Sequence, residues 1–513
     1  MATAVGTSGR AASPSRASPV APLLHPDKDL RVVVPALAIG GVILVGMGWG
    51  IAPLATVGAL AAIAASLVAP AVGLATIAFM GPLQPPLVIP SPGFNAILVG
   101  AVILGCIYRL PIDRPRIRLT APMLPLLGFV LYVAVQQTPE MATGYAGDQG
   151  HLVAYEFGQL ITGFGAVVAA AYILSQRSPF PFLAVGLASA VVAALLAIAT
   201  SVNPAVGPPI AGLLAHATID QRAVGSFYNP NYFGVFEAIA ITTAAGWMLG
   251  TRSTRLRLAL LATCVVLGVA LMLSLSRTAM ITCAAGLGFL ALSRSRPRNG
   301  VVIAAGLLVG VIVLFPIFVN WRLSATFGAS SADAYAELAQ SDQGRLSGVL
   351  AGPQLFLSSP VFGIGWANYF AMSSRFAGVS IAAHNWYMNV LAQEGTVGIV
   401  LWLLLLVLVV IALRSRPTFP RSTGLGVLGA YAVGSLFLEA PISFQTSALP
   451  ILVIVAALAS DWTQRPEASR SPGGEEATAP SGAWPSGRAR LARGRDHEAG
   501  GECPSAARLS CAR

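Results

Sequence analysis

Along most of the chain the apolar positions neither alternate nor form a one-sided stripe. They come in near-continuous runs, each close to the ~20 residues that an α-helix needs to cross the hydrocarbon core of a bilayer. The runs predict spans at about 32–50, 53–69, 71–89, 94–109, 119–136, 158–175, 180–200, 229–249, 256–273, 277–293, 300–319, 395–413, 424–440 and 447–463. Only Gly50 to Pro53 and Pro70 separate the first three. The implied fold class is all-α: a polytopic integral membrane protein with about 12–14 transmembrane helices and one large extracytoplasmic loop.

Composition strengthens that reading. Charged residues make up 10% of the 513, hydrophobic residues 55%, and the mean hydropathy is +0.74. So few charges cannot coat a water-facing surface of this size, which excludes a soluble enzyme, a coiled coil and a disordered scaffold. The net charge of +11 does not indicate nucleic acid, because long apolar runs separate the basic residues and leave no continuous phosphate-tracking groove. Of the five cysteines, Cys106, Cys264 and Cys283 lie in apolar runs and Cys503 and Cys511 in the basic tail, with no zinc or disulfide-framework spacing.

The basic residues instead report orientation. Threading the spans alternately puts the loops carrying Arg109, Arg114, Arg116 and Arg118, then Arg252, Arg255 and Arg257, then Arg294, Arg296 and Arg298, then Arg414, Arg416 and Arg421 on the side of both termini. The positive-inside rule makes that side cytoplasmic. Residues 1–31, rich in Ser, Ala and Pro, read as a disordered cytoplasmic tail without a signal-peptide pattern, and the Gly, Pro, Arg and Glu rich segment 464–513 as a second one. Residues 32–463 form the membrane domain between them. The outer side keeps loops at roughly 137–157 and 201–228 and the largest at 320–394, and a long loop among short connections is where chemistry is expected.

Four stretches at that outer face carry candidate chemistry. In Gly225 to Phe233, Asn229 suits a helix cap and Pro230 a first helical turn, and Asn229 and Asn231 are equally candidates for ligand contact. In Ser274 to Ala279, Arg277 sits in a tight membrane hairpin, where it must snorkel or meet an anion, and Ser274 and Ser276 add hydroxyl donors beside it. Arg345 opens an expected helix through Phe356, followed by a turn at Pro360 to Tyr369 whose Gly363 and Gly365 permit close backbone approach. Finally, His384 to Gly395 reads as a short amphipathic helix at the membrane surface, with His384, Tyr387, Met388 and Leu391 on one face and its end at Gly395. Glu237 is an intramembrane carboxylate, expected to have a functional role or to pair with one of these arginines. No Asp-x-Asp pair in an outer loop and no His or Cys set has metal-ligand spacing, so no metal and no cofactor is expected, and arginine must supply the positive charge.

These stretches together resemble the superfamily of O-antigen ligases and O-antigen polymerases, bacterial envelope glycosyltransferases. The ligase signature is a His followed by Asn, Ser or Gln, nine residues, a Gly, two residues, and Gly, Thr or Tyr. Here it reads His384-Asn385, Trp386 to Glu394, Gly395-Thr396-Val397-Gly398. The Asn229-Pro230-Asn231 stretch, the Ser276-Arg277 turn and the Arg345 helix with its following Gly-rich turn are also similar, in the same order, over about residues 220–410.

The resemblance implies a bacterial inner-membrane enzyme acting at the periplasmic face. It would move a glycan from an undecaprenyl-pyrophosphate carrier to an acceptor hydroxyl without a metal. His384 would accept the hydroxyl proton and Arg277 and Arg345 would hold the pyrophosphate, while Asn229, Asn231, Ser276, Asn385 and Glu237 would line the substrate site. The acceptor stays open: a lipid A core sugar for a ligase, another glycan for a polymerase, a Ser, Thr or Tyr for a protein O-oligosaccharyltransferase. A polyprenyl-glycan flippase is the rival from another class. It is disfavoured because no inverted repeat is visible and the polar candidates gather at one face instead of the midplane.

Overall fold

In the computed structural model, residues 26–83, 91–113, 121–142, 148–203, 218–219, 222–227, 229–294, 299–303, 331–378, 380–438, 444–460 and 462 are described, with isolated positions between 306 and 317. The helices are α1 (Pro26–Gly48), α2 (Ala52–Val68), α3 (Pro70–Met80), α4 (Ser91–Asp113), α5 (Met123–Ala142), α6 (Asp148–Leu174), α7 (Phe180–Val202), α8 (Pro230–Gly250), α9 (Thr254–Leu273), α10 (Arg277–Arg294), α11 (Ser331–Ser358), α12 (Tyr369–Ala377), α13 (Trp386–Arg414), α14 (Thr418–Gly434) and α15 (Phe444–Ala459). Two-residue strands, β1 (Thr218–Ile219) and β2 (Arg222–Ala223), pair antiparallel between α7 and α8. Among the described residues, seven helices are long and apolar enough to cross a membrane, and four shorter apolar ones accompany them. The protein is all-α and polytopic, as the runs predict.

Some boundaries differ from the sequence pattern for physical reasons. Helix begins at Pro26, within the segment expected to be a tail, because the polar turn Pro26 to Arg31 continues into the first apolar run; residues 1–25 and the tail from 464 lie outside the described residues. Within the span expected at 71–89, α3 runs from Pro70 to Met80, about 16 Å, and continues as a 3-10 turn at Gly81–Leu83, all of it buried; residues 84–89 lie outside the described residues. It packs against α1, α2, α4 and α7 inside the bundle. The outer loop expected at 137–157 is largely helix, since α5 runs on to Ala142 and α6 starts at Asp148. The Arg345 helix starts at Ser331, where Ala, Glu, Leu and Gln favour helix, so Arg345 stands mid-helix and does not open it.

The centre of the bundle is built on small residues. A Cβ on Gly234 would stand 2.6 Å from Ala279 Cβ, and one on Gly286 would stand 2.4 Å from Thr242 Oγ1 and 2.9 Å from Ala430 Cβ. Gly434 similarly faces Thr282 and Val235, and Gly246 faces Thr423. These pairs make α8 and α10 parallel and lay α14 antiparallel across both, with backbones close enough for dispersion to hold them without a hydrophobic drive from lipid. The N-termini of α8 and α10 and the C-terminus of α14 therefore share one end of the bundle. At the other end lie Arg252, Arg255, Arg257, Arg294, Arg414, Arg416 and Arg421, the basic residues that the sequence assigns to the cytoplasm.

Candidate functional site

Three of the four candidate motifs begin helices at the end remote from those arginines. Asn229 caps α8: its Oδ1 accepts from Asn231 N at 2.8 Å, with Pro230 in the first helical position. Ser276 caps α10: its Oγ accepts from Ala279 N at 3.3 Å and donates to Asn231 Oδ1 at 2.9 Å. The first two motifs, 45 residues apart, thus meet directly. A residue that the sequence reading passed over joins them. Arg222, on β2 and 8% exposed, donates from Nε to Ser274 O at 3.0 Å and from a terminal nitrogen to Asn231 Oδ1 at 2.9 Å.

Arg277 follows Ser276 as the first residue of α10. A cation there sits against the positive end of the helix macrodipole, equivalent to roughly +0.5 charge, so the position favours a bound anion. The three-residue connection before it, Ser274 to Ser276, turns by placing Leu275 at φ +50°, which an L-residue adopts at a cost.

His384 and Asn385 reach the same end from α13. Asn385 caps α13 by accepting from Met388 N at 3.0 Å, Trp386 N donates to Ser435 O at 2.8 Å, and Tyr387 donates its hydroxyl to Ala432 O at 3.0 Å. Ser435 adjoins Gly434, the residue that packs on Thr282 of α10 and Val235 of α8. The His384 segment is therefore tied to the helix that bridges the Arg277 and Asn231 helices. His384 is half-buried and held at φ +49°. Among the described residues the non-glycine positions with positive φ are Leu275, Ala367 and His384, and all three fall in the candidate motifs. Strain of this kind collects at functional sites.

Arg345, half-buried, lies three residues before Gly348 on α11 and so shares its face. A Cβ on Gly348 would stand 2.2 Å from Ala382 O, and one on Gly352 would stand 2.2 Å from Met388 Cγ. The face that carries Arg345 is the one that rests on the His384 segment. Glu237 is not gathered in with these residues. It lies six residues along α8 from Asn231, about 9 Å deeper. It is fully buried, and neither carboxylate oxygen has a hydrogen-bond partner among the described residues, so the expected pairing with an arginine is not formed there.

The glycines of the signature have architectural roles. Gly395 interrupts α13 at φ +63°, ψ −160°, a region open to glycine alone, and ends the first segment where the sequence predicts. The break frees carbonyls that the Gly-rich turn uses: Ile364 N donates to Ala392 O at 3.0 Å, Gly365 N to Gln393 O at 2.9 Å and, in return, Thr396 N to Pro360 O at 2.9 Å. Tyr132 donates its hydroxyl to Phe362 O at 2.8 Å, and Gln136 donates to Phe362 O at 2.7 Å, so α5 clamps the turn. Gly398 leaves room for Glu394, whose Cβ would stand 2.1 Å from a Cβ at position 398.

Beneath Trp386 the rings of Phe129, Trp366 and Trp402 pack edge-on and tilted at centroid distances of 5.6–6.2 Å. Phe129 and Trp402 also line a largely apolar cavity of about 450 Å³ between α5, α6, α13, α14 and α15, which extends toward Arg416 and Ser175.

Comparison with known proteins bears on this geometry. No curated protein matches the chain. Residues 262–403 match a family model described as O-antigen ligase, a stretch that takes in Arg277, Arg345, His384, Asn385, Gly395 and Gly398 and leaves out Arg222, Asn229, Asn231 and Glu237. The chain is thus a multi-pass membrane protein whose residues 262–403 are similar to the O-antigen ligase family.

Proposed function

We propose that the protein transfers a glycan from an undecaprenyl-pyrophosphate carrier to an acceptor hydroxyl at the extracytoplasmic face of a bacterial inner membrane. The observation that carries this reading is electrostatic. The N-termini of α8, α10 and α13 share one end of the bundle with the buried Arg222 and with Arg277 at the first position of α10. Such a concentration of positive potential, away from the cytoplasmic arginines, suits a diphosphate headgroup.

In the proposed step the acceptor oxygen forms a bond to the anomeric carbon while the bond from that carbon to the diphosphate oxygen breaks. The acceptor proton passes to His384. The negative charge that grows on the departing lipid diphosphate is met by Arg277, Arg345 and the helix amides, a contribution worth roughly two to three powers of ten in rate per well-placed donor. His384 is held at a positive φ that costs energy, as strained backbone often is at functional sites. The apolar cavity lined in part by Trp402, whose ring packs edge-on against Trp386, offers the isoprenoid tail a place next to this segment.

The test is transfer by the purified protein in lipid nanodiscs, supplied with an undecaprenyl-pyrophosphate glycan and, separately, lipid A core, glycan and hydroxyl-peptide acceptors. His384→Ala is expected to lower transfer by about 10²–10⁴ while the protein stays folded. A folded His384→Ala protein with near wild-type transfer removes the base from the proposal, and a wild-type protein that moves glycan across the bilayer without forming a bond makes it a transporter.

A further inference from the structure

Asn231 Oδ1 accepts two hydrogen bonds, one from Arg222 at 2.9 Å and one from the Ser276 hydroxyl at 2.9 Å. Arginine donates only, so the atom facing it must be the amide oxygen, and the orientation of the Asn231 side chain is fixed by chemistry. The Ser276 bond agrees, because that hydroxyl accepts from Ala279 N and has its own proton to give. With its oxygen doubly occupied, Asn231 turns its NH₂ away from Arg222 and Ser276. The side chain is half-buried at the end of the bundle where α8 and α10 begin.

We infer that the Asn231 amide is a further ligand-binding group of the site, donating to an oxygen of an anionic diphosphate, and that Arg222 is its positioning residue. Arg222 acts from behind. Its guanidinium is anchored on Ser274 O at 3.0 Å and cannot turn without releasing the α9–α10 connection. One planar group therefore sets both the orientation of Asn231 and the backbone immediately before Arg277. Arg222 and Asn231 lie outside the family match, and β2 brings Arg222 in from a loop. The inference rests on the diphosphate reading above and adds to it the way the headgroup is gripped on the α8 side.

Two variants discriminate. Asn231→Asp keeps an oxygen for Arg222 and Ser276 but turns the outward NH₂ into an acceptor and adds a negative charge. Asn231→Ala removes the donor without adding charge and should weaken the same binding; unchanged binding in Asn231→Ala would assign any loss in Asn231→Asp to repulsion and overturn the inference. Full-length protein in nanodiscs is titrated with undecaprenyl pyrophosphate, with inorganic pyrophosphate and with undecaprenol, and transfer kinetics are measured beside it. Asn231→Asp is expected to unfold at or above the wild-type temperature, to bind undecaprenyl pyrophosphate at least tenfold more weakly, to raise KM for the donor more than it lowers kcat, and to leave undecaprenol binding unchanged. A parallel loss for inorganic pyrophosphate assigns the contact to the diphosphate itself, and a loss confined to the lipid form assigns it to the membrane-bound headgroup.

Arg222→Lys should weaken the same binding, and the double variant should lose no more than Asn231→Asp alone, because Arg222 works through the amide. If Asn231→Asp binds undecaprenyl pyrophosphate as well as wild type, the inference is wrong while the transfer reading stands. If wild type itself binds neither diphosphate, the diphosphate reading falls and takes this arm with it.

Discussion

Replacing Gly395 by Ala tests whether the signature glycine serves the backbone. At φ +63°, ψ −160° any L-residue is strained by about 1–3 kcal/mol. The new Cβ would also stand 2.4 Å from Val361 O and 2.6 Å from Gly363 N, so the Gly-rich turn must withdraw. Withdrawal breaks the bonds from Ile364 N, Gly365 N and Thr396 N, each worth about 0.5–1.5 kcal/mol net. The sum is a local destabilisation of about 2.5–7.5 kcal/mol, large for a single substitution. Amide hydrogen exchange in nanodiscs reads it directly, as faster exchange of Ile364, Gly365 and Thr396 against unchanged protection in the core of α8 and α10. Gly344→Ala on α11 is the control: nothing lies within 4 Å of its Cβ, and Ala there should stabilise the helix by about 0.5–1 kcal/mol. Protection of the three amides in Gly395→Ala within about 1 kcal/mol of wild type would refute the backbone argument and return the glycine to substrate contact.

Three further outcomes follow from the geometry. His384→Gly removes the imidazole and the positive-φ strain together, so SDS-titrated unfolding should show stability unchanged or raised by about 1 kcal/mol while transfer drops by 10²-fold or more; a loss of over about 2 kcal/mol would mean that the side chain chiefly packs. Arg277→Lys keeps the charge but loses the two-pronged hydrogen bond, and donor turnover should fall at least about tenfold, whereas full activity would mark a snorkelling residue. Glu237→Met removes a fully buried carboxyl group that has no hydrogen-bond partner among the described residues, and should raise stability by about 1–3 kcal/mol with transfer retained; loss of donor binding in that variant would restore Glu237 to the substrate site.

What could be read from the sequence was what local chemistry dictates. Asn229, Ser276 and Asn385 announce helix starts because a short polar side chain ahead of an apolar run is the commonest solution for orphan amides, and all three do cap. Gly395 announces a helix end in the same way. Arg222 gave no such signal. It stands in a loop without periodicity, and its partners are 9 and 52 residues away, one of them a carbonyl that any residue carries. Tyr132 and Gln136 are similar: they belong to no motif, and only the fold shows them holding carbonyls more than 220 residues distant.

The fixed spacing between His384 and Gly395 acquires a mechanical meaning from these contacts. The segment from Trp386 to Glu394 is about 13 Å of helix, pinned at its start by Trp386 N on Ser435 O and Tyr387 on Ala432 O, and at its end by the carbonyls of Ala392 and Gln393. Each added residue would turn one clamp about 100° relative to the other, and a whole added turn would separate them by about 5.4 Å. Nine residues is therefore the length at which His384 stays on the α14 end that abuts α8 and α10 while Gly395 stays under the turn that follows Arg345's helix. The signature describes a strut whose two ends belong to different parts of the site.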